Sequence, residues 1–257
     1  MTLDSYLEFV DHVRRLTGID LRQYKRPQME RRLAHLRDRR GFPDFASYAA
    51  ALSRDAKLLQ ELVDRITIQV SEFFRNPERW ADLQHRLQAL PPDGPLRAWS
   101  AGCAHGEEPY SLSILCAELG LEADIWATDL DGDALNIAMG GVYPERALVN
   151  VSQGRRVRYF EPVSGGWRVA PHVRRAVRFE RHNLLADPYP RDLHLIVCRN
   201  LLIYLTDAAK QKIILGFSRA LRPGGLLFVG STEQLVGIDA RDFRLVAPFM
   251  YEKTGAS

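Results

Sequence analysis

The sequence has few of the features that mark membrane and secreted proteins. No apolar run approaches the roughly 20 residues of a membrane-spanning helix. The start M-T-L-D-S-Y-L-E-F-V lacks the basic stretch and apolar core of a secretory signal. Three cysteines occur, at Cys103, Cys116 and Cys198, without a C-x-x-C pair. We therefore expect reduced thiols, no metal site, no insertion into a membrane and a cytoplasmic location.

Phosphate-binding and calcium-binding patterns are also missing. The stretch W-S-A-G-C-A-H-G-E-E-P-Y-S, residues 99–111, has the order of a strand followed by a helix, but it is not G-x-G-x-x-G and has no Lys-Ser/Thr pair. Its adjacent acids, Glu107 and Glu108, would repel a diphosphate. The stretch D-L-D-G-D, residues 129–133, has a misplaced glycine for a calcium loop and no glutamate at the twelfth position. These departures argue against both kinds of site.

The composition is that of a folded protein with unevenly placed charge. Hydrophobic residues make up 46% of the 257 residues and charged residues 26%, which suits one large domain or two smaller ones. The net charge is +3, yet eight basic and only two acidic residues lie between Arg22 and Arg40. Such a segment is typical of contact with an acidic protein, a nucleic acid or a membrane. It also suits a solvated helix whose arginines flank an apolar stripe.

The first part of the chain reads as helical. In residues 1–78, Met29, Leu33 and Leu36 recur at helical spacing, which predicts one buried face. No segment there alternates as a strand would. Residues 79–95 end in the Pro/Gly cluster A-L-P-P-D-G-P, so we expect a linker that connects a helical N-terminal domain to a second domain.

The remainder, residues 96–257, has a different pattern. Apolar runs such as L-R-A-W-S-A, A-D-I-W-A-T-D and L-H-L-I-V-C-R-N alternate with helical patterns, the first of which starts near Pro109. This alternation predicts an α/β domain with a mostly parallel sheet covered by helices on both faces. The β-rich stretch 152–182, with a turn at Gly165 and Gly166, should form a small antiparallel insert.

The ends of the first two predicted strands indicate a cofactor. The first strand should end near Ala101, so Gly102 and Gly106 lie in the loop above it and let a ligand approach the backbone. The second strand ends at Asp129, roughly 20 residues further on, where an acid binds ribose hydroxyls. An acid for ribose together with carboxylates at the loop fits S-adenosylmethionine (SAM), which carries a sulfonium and an ammonium group. Alternatively, acids in a first helical turn are stabilised by the helix dipole whatever binds nearby.

Several blocks, spread in order over nearly the whole chain, are similar to those of one protein family. The blocks are T-I-Q-V-S-E-F-F-R-N-P (67–77), W-S-A-G-C-A-H-G-E-E-P-Y-S (99–111), A-T-D-L-D (127–131), N-L-L (183–185), C-R-N-L-L-I-Y-L (198–205) and L-R-P-G-G-L-L-F-V-G-S-T-E (221–233). In these blocks the chain resembles the CheR-type glutamate O-methyltransferases, which methylate chemotaxis receptors. The resemblance implies a class I SAM-dependent methyltransferase (Rossmann-like) domain with a helical N-terminal domain and a small antiparallel β-subdomain insert.

The resemblance also implies site residues, with S-adenosylhomocysteine as the product. Arg75 and Tyr204 would be catalytic, at the place where the methyl group meets the substrate carboxylate. Two departures concern the first block, where Gln69 and Ser71 replace the family's Asn and Thr, and the glycine loop, where His105 replaces a small residue. The implied cofactor contacts are Gln69, Ser71, Arg75, Glu108, Asp129, Asn183, Leu184, Arg199 and Asn200, to which the argument on the glycine loop adds Gly102.

The implied partner is the cytoplasmic domain of a methyl-accepting chemotaxis receptor. We expect a monomer that contacts this domain through the basic helix between Arg22 and Arg40, with the β-subdomain as a second candidate contact and no nucleic acid. The turn V-S-G-G-W is short, which is typical of members that do not need a receptor C-terminal pentapeptide. Two alternatives stay open: a methyltransferase of the same fold acting on a small molecule or RNA, and a non-catalytic SAM-binding signalling module.

Overall fold

The structure is a computed structural model that describes residues 4–67, 71–89, 94–235 and 241–255. It divides into two compact units. The first division falls after residue 68, earlier than the domain boundary predicted at residue 78. The first unit combines Met1–Ile68 with Tyr204–Lys210, and the second combines Gln69–Ile203 with Gln211–Ser257.

The first unit is built from helices, as predicted. They are α1 (Ser5–Thr17), α2 (Arg26–Arg39), α3 (Phe45–Leu52) and α4 (Ala56–Thr67), with a 3-10 helix at Leu21–Gln23. The carboxylates of Asp4 and Asp44 accept the free backbone N–H groups at the starts of α1 and α3. The side chains of Met29, Leu33 and Leu36 on α2 are buried, which confirms the predicted apolar face.

The second unit contains the strands. Its helices are α5 (Pro77–Gln88), α6 (Glu107–Glu118), α7 (Gly132–Gly140), α8 (Gln153–Tyr159), α9 (Pro171–Arg174) and α10 (Asp207–Ala220), the last of which begins in the stretch assigned to the first unit. Its strands are β1 (Leu96–Ala101), β2 (Ala123–Asp129), β3 (Val142–Tyr143), β4 (Phe160–Val163), β5 (Gly166–Val169), β6 (Val177–Arg181), β7 (Leu193–Cys198), β8 (Leu221–Val229), β9 (Phe243–Ala247) and β10 (Met250–Lys253).

The described residues form a seven-stranded sheet in the order β6-β2-β1-β7-β8-β10-β9. The strands from β6 to β8 pair in parallel, and β10 pairs antiparallel with both of its neighbours. The chain runs from β1 outward to β2 and later returns to the other side of β1 with β7. The strand order therefore reverses between β1 and β7, and ligands of open α/β sheets bind beyond the carboxyl ends of the strands at such a point.

The predicted insert at 152–182 differs from the structure in two ways. A three-stranded antiparallel sheet, β3-β5-β4, does exist, and its hairpin turns at Gly165. However, V-R-F-E does not belong to it, because β6 pairs in parallel with β2 and forms one edge of the main sheet. The stretch R-R-V-R-Y before the hairpin is helical and lies in α8, which Ser152 caps by accepting from the backbone N–H of Arg155.

The segment predicted as a linker is largely helical. Helix α5 occupies Pro77–Gln88, and its Trp80, Leu83 and Leu87 side chains are buried in the hydrophobic core of the second unit. Each such side chain adds about 1.5–3 kcal/mol of favourable burial. The helix is therefore an integral part of the unit that carries the sheet.

Candidate functional site

The loop after β1 is a tight backbone turn against β2. The backbone N–H groups of Gly102 and Cys103 both donate to the carbonyl oxygen of Thr128 at 2.8 Å. Gly102 and Gly106 have φ values of 83° and 94°, a region that side chains disfavour. A Cβ on Gly106 would also lie 2.8 Å from that of Ala138. The two glycines are therefore needed for the turn itself.

Asp129 lies at the end of β2, beside this loop. Its carboxylate accepts the backbone N–H of Ala104 at 2.9 Å through one oxygen and that of Asp131 at 3.0 Å through the other. Burial raises the pKa of the Asp129 carboxyl, and these two hydrogen bonds oppose the rise. Each carboxylate oxygen can accept more than one hydrogen bond, so this acid is held in place and keeps capacity for ribose hydroxyls.

Two acids follow the loop in the first turn of α6, and they have different surroundings. Glu107 is 4% exposed, and its Oε2 atom has no hydrogen-bond partner among the described residues. Glu108 is half-buried, and its Oε1 accepts the Ser100 hydroxyl at 2.8 Å. Burial raises the pKa of each carboxyl to about 7, and for Glu108 the charge of Arg199 opposes the rise. A nearby cation would stabilise the ionised form of these acids.

The turn at Asn183 and Leu184 follows β6 at the same edge of the sheet. The backbone N–H of His182 donates to the carbonyl oxygen of Asp129 at 3.0 Å, which brings this turn next to the end of β2. Asn183 accepts the backbone N–H of Leu185 at 2.9 Å, and the carbonyl oxygen of Leu184 accepts from a tyrosine hydroxyl. Both predicted adenine contacts therefore lie near the acid predicted to bind ribose.

Arg199 and Asn200 follow β7, on the other side of the reversal. Arg199 is 7% exposed, and its Nη2 donates to the carbonyl oxygen of Arg75 and to Oδ1 of Asn76, both at 2.9 Å. The guanidinium carbon lies 4.7 Å from the ring centroid of Phe228, within range of a cation–π contact. The Arg199 side chain therefore connects the sheet to the segment that contains Arg75.

The segment S-E-F-F-R-N is fixed to the second unit by buried anchors. The Phe73 and Phe74 side chains are fully buried, and the Phe74 backbone N–H donates to the Ser111 hydroxyl at 2.9 Å. Arg75 is half-buried, and its carbonyl oxygen also accepts the Trp80 indole N–H at 3.1 Å. Ser71 hydrogen-bonds to the Glu107 side chain. Gln69 lies outside the described residues.

One acid at this edge was missed by the sequence reasoning. Glu233, after β8, is 4% exposed and accepts backbone N–H groups from Asn200 at 2.6 Å, Gly230 at 2.8 Å and Ile203 at 3.2 Å. Burial raises the pKa of its carboxyl and the backbone N–H donors oppose that rise. Glu233 lies three residues after the buried run that ends at Gly230, and no sequence pattern marks the backbone N–H groups that it accepts.

The eight basic residues from Arg22 to Arg40 fall into two groups, those that line a cavity and those in ion pairs. Lys25, Arg31 and Arg32 line a cavity of about 510 Å³ together with Arg65, His35, Gln28, Met29 and Tyr204. The Arg32 guanidinium hydrogen-bonds to Tyr204 and lies 5.5 Å from its ring centroid. Tyr204 is half-buried at the end of a 3-10 helix. The ion pairs on the remaining cations are Arg22–Asp11, Arg22–Asp20, Arg26–Asp4, Arg26–Glu30, Arg37–Asp38, Arg39–Glu61 and Arg40–Glu61.

Three further expectations concern metal ions, membranes and His105. Within the described ranges, no group of three or more His, Cys, Asp or Glu side chains is arranged to hold a metal ion. No helix among the described residues is long and apolar enough to cross a bilayer. The carbonyl oxygen of His105 accepts the Tyr143 hydroxyl at 2.6 Å, so its backbone is part of the loop's support.

The sheet is mostly parallel and reverses at β1, with a glycine loop after that strand and an acid after the next. This arrangement fits the class of SAM-dependent methyltransferases. Two family models then match consecutive parts of the chain. The model described as CheR methyltransferase, SAM binding domain, matches residues 69–248, and that described as CheR methyltransferase, all-alpha domain, matches residues 4–67. The chain belongs to the CheR methyltransferase family. It is a SAM-dependent protein methyltransferase of chemotaxis signalling.

Curated relatives agree with this assignment over almost the full length. The chain is 39% identical to a chemotaxis protein methyltransferase of Listeria monocytogenes over 255 residues, which covers 97% of each chain. It is equally similar, with the same coverage, to a chemotaxis protein methyltransferase of Listeria innocua. A chemotaxis protein methyltransferase of Klebsiella aerogenes is 32% identical over 249 residues, covering 92% of this chain and 85% of the relative.

Proposed function

We propose that this enzyme transfers the SAM methyl group to glutamate side-chain carboxylates of a chemoreceptor cytoplasmic domain. The products are glutamate methyl esters and S-adenosylhomocysteine, and the enzyme works as a cytoplasmic monomer. The observation that carries the proposal is the convergence, at one edge of the sheet, of the Asp129 and Glu108 carboxylates with the two turns at 183–184 and 199–200.

The chemistry of the donor set fits the cofactor. Asp129 would take the ribose hydroxyls, and Glu108 would face the ammonium group. Two unit charges about 4 Å apart attract by about 4 kcal/mol at an effective dielectric near 20, and the same attraction would become repulsion for a diphosphate. Gly102 would leave room at the backbone. When bound, SAM supplies an activated methyl group.

The residues of the chain then act mainly by positioning. A glutamate carboxyl has an unperturbed pKa near 4.3 and is ionised at neutral pH, so no residue needs to remove a proton from it. We assign Arg75 to steering this carboxylate and Tyr204 to orienting it. Arg75 suits the role because its carbonyl oxygen accepts hydrogen bonds from the Arg199 and Trp80 side chains, while its own side chain is half-buried. Oriented reactants can gain about 7–11 kcal/mol in such a step.

The cationic cavity supports an acidic protein as the substrate. The cations that line it have no acid among the lining residues, whereas the other arginines of α2, Arg26, Arg37 and Arg39, are in ion pairs. A receptor segment rich in glutamates would supply the missing negative charge. The β4–β5 turn is short, which supports docking without a receptor C-terminal pentapeptide.

A labelled-methyl assay tests this proposal. The enzyme and labelled SAM are incubated with receptor cytoplasmic segments, with tRNA, or alone, and any label on protein is tested for release by base. Base-labile label in the receptor segment is the expected result, because carboxyl esters hydrolyse in base. Label in tRNA would instead favour the RNA methyltransferase, and binding without transfer would favour the signalling module.

A pair of matched variants tests the cavity. Arg31 lines it and is exposed, whereas Arg54 is an exposed arginine of the same unit outside it. We expect Arg31→Glu to raise the KM for the receptor segment about tenfold with little change in the KM for SAM, and Arg54→Glu to leave both near wild type. An equal rise in the KM for the receptor segment in both variants would exclude the cavity as the contact surface. It would show that this KM depends only on the overall charge of the protein.

A further inference from the structure

The Glu233 carboxylate joins two loops at the edge of the sheet where the cofactor contacts converge. Its Oε2 accepts the backbone N–H groups of Asn200 at 2.6 Å and of Gly230 at 2.8 Å, and its Oε1 accepts that of Ile203 at 3.2 Å. The first and third donors belong to the loop after β7, and the second ends β8. One buried carboxylate therefore fixes the loop after β7 relative to β8.

The loop that Glu233 holds has an uncommon backbone conformation. Asn200 has a φ of 62°, a left-handed conformation that is uncommon for residues other than glycine and that persists where its surroundings maintain it. The Glu233 carboxylate is also tightly packed against Gly230. A Cβ on Gly230 would collide with Oε2 of Glu233 and lie 2.9 Å from the backbone nitrogen of Asn200. The position of the carboxylate and the conformation of Asn200 are thus mutually dependent.

The same loop contacts the backbone of Arg75 through the Arg199 side chain. Arg199 immediately precedes Asn200, and its Nη2 donates to the carbonyl oxygen of Arg75 at 2.9 Å. We propose that Glu233 is a positioning residue for methyl transfer, which holds Asn200 and Arg199 in the conformation that the cofactor and Arg75 require. The inference rests on the cofactor and catalytic roles proposed above for these three residues.

A carboxylate suits this task better than a neutral side chain. Several N–H donors point at it, and an ionised carboxylate has only acceptor sites. A glutamine would keep one acceptor oxygen and direct an NH₂ group at a backbone N–H. Arg199 also places a positive charge near Glu233, which helps to keep the buried carboxylate ionised.

The test compares two variants that release the loop by different routes. Glu233→Gln removes the charge, and Gly230→Ala displaces the carboxylate while leaving the charge in place. Glu252→Gln is the matched control, because Glu252 lies on β10 and its carboxylate pairs with Arg244 at 2.8 Å, away from the loop. The measurements are the dissociation constant for S-adenosylhomocysteine by calorimetry, kcat and both KM values in the methyl-transfer assay, and the thermal unfolding midpoint of the free protein.

We expect both variants to weaken S-adenosylhomocysteine binding at least tenfold and to lower kcat, with the KM for the receptor segment near wild type. Glu252→Gln should change none of these quantities. The proposal is overturned if Glu233→Gln and Gly230→Ala bind the ligand as wild type does. It is also overturned if their binding and kcat return to wild-type values at a temperature well below their unfolding midpoints, because the losses would then reflect unfolding. If Glu233→Gln does not fold, Gly230→Ala decides alone. A wild-type protein that fails to bind the ligand would refute the cofactor site itself, which is a separate outcome.

Discussion

The ionisation of Glu108 should make cofactor binding depend on pH near neutrality. Burial raises the pKa of this carboxyl to about 7, against an opposing influence from Arg199 and the Ser100 hydroxyl. An ammonium group attracts the ionised carboxylate and not the protonated one. Binding therefore lowers the pKa of Glu108, releases a proton in solutions below about pH 7, and becomes tighter as pH rises through the pKa of the free protein.

The size of the effect can be worked out from that pKa. With a value of about 7, about one tenth of the free protein carries an ionised Glu108 at pH 6 and about nine tenths at pH 8. If the ligand binds only the ionised form, the dissociation constant should fall about tenfold between these pH values, which corresponds to about 1.4 kcal/mol. The α-ammonium of the ligand stays protonated over this range.

Calorimetry with S-adenosylhomocysteine measures both the affinity and the proton. Titrations at pH 6 and pH 8, each in two buffers of different ionisation enthalpy, give the number of protons released. Glu108→Gln should bind more weakly at pH 8 and lose the pH dependence. Glu107→Gln is the matched control, since Glu107 has a similarly raised pKa of about 7 but hydrogen-bonds to Ser71 instead of Ser100, and it should keep the slope. An affinity independent of pH in the wild type, or a slope that persists in Glu108→Gln, would refute the assignment.

Two substitutions test the remaining roles. Arg75→Ala should keep S-adenosylhomocysteine affinity within about threefold of wild type, because it leaves the backbone contacts of Arg199 in place. Turnover in the labelled-methyl assay should fall at least a hundredfold. Unchanged turnover would remove Arg75 from the mechanism. Asp129→Asn should weaken ligand binding by about tenfold to a hundredfold in calorimetry, since hydrogen bonds to charged acceptors contribute about 1.5–3 kcal/mol each. The exposed Asp133→Asn, one helical turn away, should bind as wild type does, and equal losses in both variants would argue against the ribose contact.

The strands could be predicted where burial and sequence pattern coincide. The runs at 96–101, 123–129 and 193–198 form β1, β2 and β7 because each is apolar enough to be covered by helices. The stretch at β6 was assigned to the wrong sheet. Its alternating exposure is the same for an antiparallel hairpin and for a parallel edge strand, so the pattern cannot identify the partner strand. Only the pairing with β2 does so.

The start of α6 and the role of Glu233 show a second limit. The first helical turn begins at Glu107, before Pro109, because Gly106 provides the N-cap through a φ of 94° and no side-chain cap is present. Glu233 acts on backbone N–H groups of residues about 30 positions earlier. Backbone donors have no sequence signature, so an acid that binds them can be identified only after the chain is folded. The family resemblance pointed to Arg199 as a site residue. It did not predict that the Arg199 guanidinium donates a hydrogen bond to the carbonyl oxygen of Arg75.

The charges of the proposed site bear on how tightly it would bind the two reactant ions. Glu108, Glu233 and Arg199 perturb one another's ionisation, and Arg75 also acts on Glu108 and Arg199. Two acids and two cations give this cluster no large net charge. In the proposed reaction a carboxylate and a sulfonium become an ester and a thioether, so the transition state carries less charge than the reactants. A strongly charged site would stabilise one reactant ion more than the transition state and slow the step. A cluster with balanced charge, in which a bound cation favours the ionised form of Glu108, avoids that penalty. We therefore expect charge-removing substitutions at Glu108 to affect binding more than the chemical step.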